Sequence, residues 1–199
     1  MQASVGTQRE RRDLRQQFLG VRRHITTTQP HVVRHLVQGL RTWLQMMRFR
    51  CVGSYAPFRG EPDISEAFVS VGSEEKLPTV ALPVVTNQVE AVMQYMEVTP
   101  QTTLIRGAYG ISEPAGGRFV VPEVIFSPCV AVTANGFRLG NGGGYFDRYL
   151  TRLLEQGIRP VTVAVAYEAL MTTEFQPEPH DQAFDWIATE TGVRRATPL

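Results

Sequence analysis

Short runs of apolar, mostly β-branched residues recur along this chain, and segments with helical periodicity separate them. The runs cover Thr79 to Val85, Val124 to Val132 and Val161 to Tyr167. Strands made of such runs are buried on both faces, which is typical of parallel sheets that helices cover on either side. The sequence therefore predicts an α/β fold with an open, mostly parallel sheet flanked by helices on both faces.

The first 48 residues have the pattern of two helices. Residues 9–23 carry apolar side chains on one side and arginines on the remainder, as an amphipathic helix does. Residues 26–30 (TTTQP) are typical of a helix start, and apolar residues then recur every three or four positions to about Met47. We expect a single domain over residues 1–199, in which residues 1–48 form an N-terminal helical pair that packs on the α/β core.

The rest of the sequence predicts several shorter elements. They are a strand at Arg50 to Ala56, a helix at Ile64 to Val71, a strand at Met93 to Val98, turns from Thr103 to Gly117 and a helix at Gly144 to Glu155. Ligands of open parallel sheets bind beyond the carboxyl ends of the strands. We therefore expect functional side chains in the segments that follow the strands.

The charge balance argues against nucleic acid as the main partner. The chain has 20 basic and 19 acidic residues, whereas nucleic-acid binders usually carry a large basic excess on one face. Arginines do crowd the N-terminus, so nucleic-acid binding stays a weak alternative that a steep salt dependence would reveal. Lys76 is the only lysine, so nearly every cation is a guanidinium, a group suited to gripping phosphate.

The apolar runs also allow predictions about the cellular location of the protein and about the state of its two cysteines. No run approaches membrane-spanning length, and no hydrophobic stretch follows the charged N-terminus. We therefore expect a cytoplasmic protein without a membrane partner, and a monomer. Cys51 and Cys129 both lie in apolar, strand-like runs, so we expect buried free thiols rather than a disulfide or a metal pair.

The segment from Asn135 to Arg148 combines glycines with charged residues. Residues 140–144 contain four glycines in five positions, between a predicted buried strand and a predicted helix. Such a loop lets the backbone approach an anion closely, and the helix that follows adds its positive end. Arg138 could contact phosphate, and Asp147 could hold Mg²⁺ beside it. The loop lacks the patterns of Walker and Rossmann loops, so these residues alone leave a structural turn as an open alternative.

The same segment closely resembles a family signature. Residues 136–150 (GFRLGNGGGYFDRYL) are similar to G-x-R-L-G-x-G-x-G-[YF]-[YF]-D-R-x-L of the 5-formyltetrahydrofolate cyclo-ligases. Four further segments resemble that family in the family's order: RRDLR at 11–15, GEPD at 60–63, LIRGAYGISEP at 104–114, and PHDQAFD at 179–185 followed by TE at 189–190. The resemblance thus spans nearly the whole chain.

The resemblance implies a Mg²⁺- and ATP-dependent enzyme. Such an enzyme closes 5-formyltetrahydrofolate to 5,10-methenyltetrahydrofolate while ATP becomes ADP and phosphate. A phosphoryl group passes to the formyl oxygen, and N10 of the folate then attacks the activated carbon and expels phosphate. This chemistry needs positioning and charge neutralisation more than a covalent protein nucleophile. In agreement, the sequence has no G-x-S-x-G nucleophile elbow.

The resemblance also implies roles for individual residues. It makes Arg138 and Asp147 the expected catalytic pair, and Asp147 and Asp181 the expected Mg²⁺ ligands. The expected ATP-binding residues are Arg11, Arg12, Asp13, Leu14 and Arg15 from the N-terminal segment, and Arg138, Leu139, Gly140, Asn141, Gly142, Gly143, Gly144, Tyr145 and Phe146 from the glycine-rich segment.

The expected folate-binding residues are Ala56, Glu61 and Tyr109. A buried carboxylate matches two parallel N–H donors, such as those at the amino edge of a pterin. Plainer roles stay open: Glu61 shaping its turn, Tyr109 packing in the core, Arg11 and Arg15 forming a solvated helix face, and Asp181 capping a turn. Two other functions also stay open, an ATP-dependent enzyme of the same fold with another substrate and a non-catalytic binder of folate or nucleotide.

Overall fold

The computed structural model describes residues 3–69 and 77–198, and it begins with the predicted helical pair. Helix α1 spans Ala3–Thr28 and helix α2 spans Pro30–Met47. The threonines of residues 26–28 close α1 rather than start α2, because each hydroxyl donates to the carbonyl four residues earlier. Pro30 then occupies the first turn of α2, where its missing N–H costs nothing.

Most strands of the described residues belong to one sheet, and a third helix separates two of the strands along the sequence. The remaining elements are β1 Cys51–Gly53, β2 Thr79–Asn87, β3 Val92–Val98, β4 Leu104–Arg106, β5 Ser112–Pro114, β6 Phe119–Val120, β7 Val124–Pro128, β8 Ala131–Val132, β9 Arg138–Leu139, α3 Tyr145–Glu155, β10 Val161–Val165, β11 Trp186–Thr189 and β12 Gly192–Arg195.

The sheet has eight described strands in the order β12-β11-β10-β7-β1-β2-β3-β6. The five central strands, from β11 to β2, pair in parallel, and the outer strands pair antiparallel. The predicted open, mostly parallel sheet is thus confirmed. Parallel pairing sends the carboxyl ends of the central strands to one edge, where ligands of such folds bind.

Helices cover both faces of the sheet, as predicted. The residues of β7 alternate between two hydrophobic cores: Val124 and Phe126 pack with α2, while Ile125 packs with α1 and α3. The α2 side contributes Leu36, Val37, Leu40 and Trp43, and the opposite side contributes Phe18, Ile25, Tyr149, Leu150 and Leu153. A strand with apolar residues at every position is the natural consequence of burial on both faces.

Several shorter elements differ from the prediction. The predicted helix from Ile64 is a 3₁₀ turn at Ser65–Phe68, and Val71 lies outside the described residues. The predicted strand from Val124 is divided in two: β7 ends at Pro128, the Cys129 amide makes one last bond to the Val165 carbonyl, and β8 then pairs with β9 outside the main sheet. The region predicted as turns contains the β4–β5 hairpin, and β6, β11 and β12 were not predicted.

Both cysteines are free thiols, as predicted. Cys129 is fully buried, and burial raises its pKa to about 12, whereas Cys51 is only partly buried. Among the described helices none is both long enough and apolar enough to cross a bilayer.

Substitution of Gly136 tests the turn between β8 and β9. Gly136 has φ +82°, and a Cβ there would collide with the backbone carbonyl of Phe184. We expect Gly136→Ala to destabilise the protein by roughly 1–3 kcal/mol, measured by urea unfolding. Gly20→Ala is the control, because Gly20 lies exposed in α1 with open space at its Cβ position. It should stabilise by about 0.5–1 kcal/mol, and equal midpoints for the two variants would contradict this account.

Candidate active site

A cavity of about 950 Å³ opens beside the carboxyl ends of β1 and β7. Its walls come from α1, from the turn after β1, from the 3₁₀ turn around Tyr109, from the glycine loop (residues 140–144) and from residues 178–181. The five segments that resemble the cyclo-ligases thus each contribute to one cavity, although up to 170 residues separate them.

Most of the expected site residues line this cavity. They are Arg11, Arg12, Arg15, Ala56, Glu61, Tyr109, Arg138, Gly140, Asn141, Gly142, Gly143, Gly144, Tyr145, Phe146, Asp147 and Asp181. The structure does not bring Asp13, Leu14 or Leu139 to the cavity. Leu14 and Leu139 pack in the hydrophobic core, and Asp13 is exposed on another side of α1. Their expected contacts with ATP stay a prediction, and the burial of Leu139 leaves the backbone as the part of that residue that could make one.

Arginines hold the carbonyls of the glycine loop from two sides. Nε of Arg15 donates to the Gly140 carbonyl at 2.9 Å, and Arg148 donates to the Gly143 carbonyl. Gly144, with φ +64°, turns the chain into α3, whose first turn follows the loop directly. The positive end of a helix and an approachable glycine backbone make this a place where an anion is stabilised.

Arg138 is buried between two aromatic rings. Its guanidinium carbon lies 5.3 Å from the centroid of Phe146 and 4.8 Å from that of Phe184. Nη2 lies 3.0 Å from Oδ1 of Asp147, which makes an ion pair but not a well-directed hydrogen bond. Nε and Nη2 thus have no hydrogen-bond acceptor among the described residues, although buried donors normally have one. An anion in the cavity would supply the missing acceptors.

Asp181 is held by α1 and by its own turn. Both terminal nitrogens of Arg11 donate to its Oδ2, at 2.8 and 2.9 Å, and the Glu178 amide donates to the same oxygen. Arg11 is buried and fully engaged, which rules out the solvated helix face for this residue. Asp181 does cap its local turn, so the plainer role holds alongside its place in the cavity.

The two expected Mg²⁺ ligands lie near each other. The backbone amide of Gln182 lies 3.5 Å from Oδ1 of Asp147, so the segment that carries Asp181 abuts the start of α3. The described residues contain no group of three or more His, Cys, Asp or Glu side chains that could hold a metal. Mg²⁺ in phosphate-transfer sites usually takes one or two carboxylates and completes its shell with phosphate oxygens and water. Asp147 and Asp181 fit that mode and not an all-protein cage.

Glu61 is a buried carboxylate with partners on three sides. Its Oε2 accepts from the Phe58 amide at 2.9 Å, and its Oε1 accepts from Nδ2 of Asn141 at 3.0 Å. Nη1 of Arg22 lies 3.6 Å from Oε1. Burial raises the pKa of Glu61, and Arg22 is the strongest influence that opposes this rise. Glu61 therefore shapes its turn and also faces the cavity.

Sequence reasoning missed the role of Arg22. Its side chain is fully buried, and it donates to the carbonyls of Phe58, Arg59 and Cys129. The signal was present in the spacing, because Arg22 comes four residues after Phe18 and three before Ile25, both buried. Helical periodicity places these three on one face, so a charged residue in that register needs a buried partner.

Tyr109 stands at the cavity rather than in the core. Its side chain is 57% exposed, and its hydroxyl lies 2.9 Å from that of Tyr145 in the first turn of α3. Glu113 accepts from the Ala108 amide and so holds the turn that presents Tyr109. The backbone of Tyr109 has φ +58°, a left-handed conformation that is uncommon for a residue other than glycine. Core packing is therefore excluded as its role.

Replacement of Arg22 tests the buried pair. Arg22→Met leaves the Glu61 carboxylate buried without its cation, which should cost roughly 3–5 kcal/mol in urea unfolding at neutral pH. Arg23→Met is the control, because Arg23 is the exposed neighbour of Arg22 in α1. Its free energy of unfolding should change by no more than about 0.5 kcal/mol.

The pH dependence of the Arg22→Met defect provides a second check. Loss of Arg22 raises the folded-state pKa of Glu61 further, so the protonated form fits the fold better than the ionised one. Stability is then greatest below the unfolded-state pKa and falls as pH rises through the folded-state value, so the defect should shrink between about pH 8 and pH 5. A defect that is equal at both pH values, or one that Glu61→Gln does not reduce in the double variant, would contradict the pairing.

Comparisons with known proteins identify the family of this chain. Residues 7–190 match the model of the 5-formyltetrahydrofolate cyclo-ligase family. The 5-formyltetrahydrofolate cyclo-ligase of Mycolicibacterium smegmatis is 28% identical over 195 residues, covering 91% of this chain and 94% of the relative, and that of Haemophilus influenzae is 27% identical over 161 residues, covering 78% and 85%. The NMR structure of Aquifex aeolicus 5,10-methenyltetrahydrofolate synthetase superposes with a TM-score of 0.73 at 28% identity, covering 95% and 94%. The chain belongs to the 5-formyltetrahydrofolate cyclo-ligase family.

Proposed function

We propose that this protein uses ATP to close 5-formyltetrahydrofolate to 5,10-methenyltetrahydrofolate, with ADP and phosphate as the other products. The observation that carries the proposal is one cavity that holds both halves of the required site. The glycine loop, Arg138 and two carboxylates supply a place for phosphates, while Ala56, Glu61 and Tyr109 supply a polar and aromatic wall for the folate. Family membership supports the same assignment.

The phosphates of ATP would lie along the glycine loop at the start of α3. Nε and Nη2 of Arg138 are buried and have no hydrogen-bond acceptor within the described part of the chain, and the contacts of Arg138 with the rings of Phe146 and Phe184 fix the plane of the guanidinium. Arg15 lies against the loop from α1. A guanidinium held in this way neutralises negative charge on a transferred phosphoryl group without reorganisation during the reaction.

Asp147 and Asp181 would hold Mg²⁺ together with the phosphates, and the cation would supply charge neutralisation and orientation of the phosphoryl group. Both carboxylates line the cavity, and each already has an arginine partner, Arg138 and Arg11 respectively. Those arginines keep the carboxylates in place, so that their oxygens stay turned to the phosphate end of the cavity.

The folate would bind with its pterin at Glu61. A carboxylate offers about four acceptor positions, of which the Phe58 amide and Asn141 use two. The other two suit the parallel N–H donors of a pterin edge. The formyl oxygen then attacks the terminal phosphorus of ATP, and ADP leaves. N10 next attacks the formyl carbon, the carbon–oxygen bond to phosphate breaks, and the N10 proton leaves with the departing phosphate. No protein nucleophile takes part, in line with a Cys129 thiol that is fully buried and has a pKa of about 12.

The first test is turnover by the purified chain. We expect near-ultraviolet absorbance of the methenyl product when the protein is mixed with 5-formyltetrahydrofolate, Mg²⁺ and ATP. Mixtures without ATP or without Mg²⁺ should give none. Absence of product from a protein that still binds ATP would overturn the folate assignment and favour another substrate on the same scaffold.

The second test replaces Asp147 by Asn. Asn keeps the size of the side chain but removes the charge, so kcat should fall by roughly 10²–10³-fold while circular dichroism shows that the fold is retained. Glu155→Gln is the matched control, because it removes one carboxylate from the exposed end of the same helix, outside the cavity. Near-normal turnover in Asp147→Asn would exclude Asp147 from the reaction.

A further inference from the structure

One hydrogen bond joins the two halves of the cavity. Nδ2 of Asn141, in the glycine loop, donates at 3.0 Å to Oε1 of Glu61, in the turn after β1. The two residues are 80 positions apart in the sequence. An Asn in a glycine-rich turn usually bonds to its own backbone a residue or two further on. Here the amide instead reaches from the proposed phosphate end to the proposed pterin end.

Both ends of this bond are anchored, and by the same helix. On the loop side, the carbonyl of the preceding residue, Gly140, accepts from Arg15 at 2.9 Å. On the turn side, Glu61 is 5% exposed and lies 3.6 Å from the guanidinium of Arg22. Arg15 and Arg22 are seven residues apart, about two helical turns, so they emerge from one face of α1. A shift of the glycine loop therefore changes the surroundings of the Glu61 carboxylate directly.

We propose that Asn141 is a positioning residue that couples the binding of the nucleotide to the binding of the folate, through its hydrogen bond to Glu61. This inference rests on the proposed function. Phosphates bound along the glycine loop hold Asn141 where its amide reaches Glu61. The amide donor favours the ionised carboxylate, which is the form that accepts the N–H donors of a pterin. The coupling is therefore positive, and each ligand tightens the other by the same factor.

The coupling factor is measured by calorimetric titration of the whole chain with 5-formyltetrahydrofolate, with and without a non-hydrolysable ATP analogue and Mg²⁺. We expect the analogue to lower the Kd of the folate by about tenfold in the unaltered protein, a usual size for coupling between sites. In Asn141→Ala the factor should fall to about one, because the donor to Glu61 is lost. The affinity for the analogue alone is measured in the same variant, so that the coupling factor is a ratio taken within one protein.

Two further variants separate this role from a general effect on the loop. Asn141→Asp keeps the shape of the side chain but sets a like charge against Glu61, so the coupling should disappear and the folate should bind more weakly without nucleotide as well. Asn135→Ala is the control, because Asn135 is exposed, donates to the Thr197 carbonyl and lies outside the cavity. Its coupling factor should equal that of the unaltered protein.

The outcomes distinguish this inference from the proposed function. A protein that binds both ligands and keeps its coupling factor in Asn141→Ala and in Asn141→Asp overturns the role of Asn141 alone. A protein that binds the analogue but no folate overturns the proposed function, and the coupling with it. If Asn141→Ala loses the analogue altogether, Asn141→Ser decides, because serine keeps the loop polar and uncharged but is too short to reach Glu61: a factor near one supports the inference, and an unchanged factor overturns it.

Discussion

The buried guanidinium of Arg22 is the constraint on which the shape of the cavity depends. A charged group removed from water has to find partners for its donors, because each unmet donor costs free energy. Arg22 finds them in the carbonyls of Phe58, Arg59 and Cys129 and in the carboxylate of Glu61. These partners follow β1 and β7, which are neighbours in the sheet. One side chain thus joins α1 to two strand ends, and the position of α1 in turn carries Arg11 and Arg15 to the cavity.

The sequence predicted the central strands of the sheet well, but it did not predict the strands at the edges. Strands buried on both faces need apolar residues throughout, which is why the runs at Val124 and Val161 were recognisable. The same property hid the break at Pro128, because β8 is as buried as the strand before it. Strand β12 was not predicted, for the opposite reason. It lies at an open edge and ends in Arg194 and Arg195, so it lacks the apolar pattern of a central strand.

For the site, the motifs predicted which segments meet but not which way their side chains point. Arg138 and Leu139 are adjacent in β9, and a strand turns successive side chains to opposite faces. Arg138 accordingly lines the cavity while Leu139 fills the core. The contacts of Glu61 with Arg22 and Asn141 join residues 39 and 80 positions away, and no local pattern encodes such distances. These pairings arise only when the sheet and α1 bring the segments together.

The arrangement of charges suggests why arginine rather than lysine serves this cavity. Each carboxylate at the phosphate end has a guanidinium beside it, Asp147 with Arg138 and Asp181 with Arg11. A guanidinium has five donors in a fixed plane, so it can keep a carboxylate on one edge and offer another edge to a phosphate. The ammonium of lysine is a point charge without such edges. In the proposed function Arg138 would therefore bind phosphate without releasing Asp147. Arg11, whose terminal nitrogens already donate to Asp181, would instead keep that carboxylate in place.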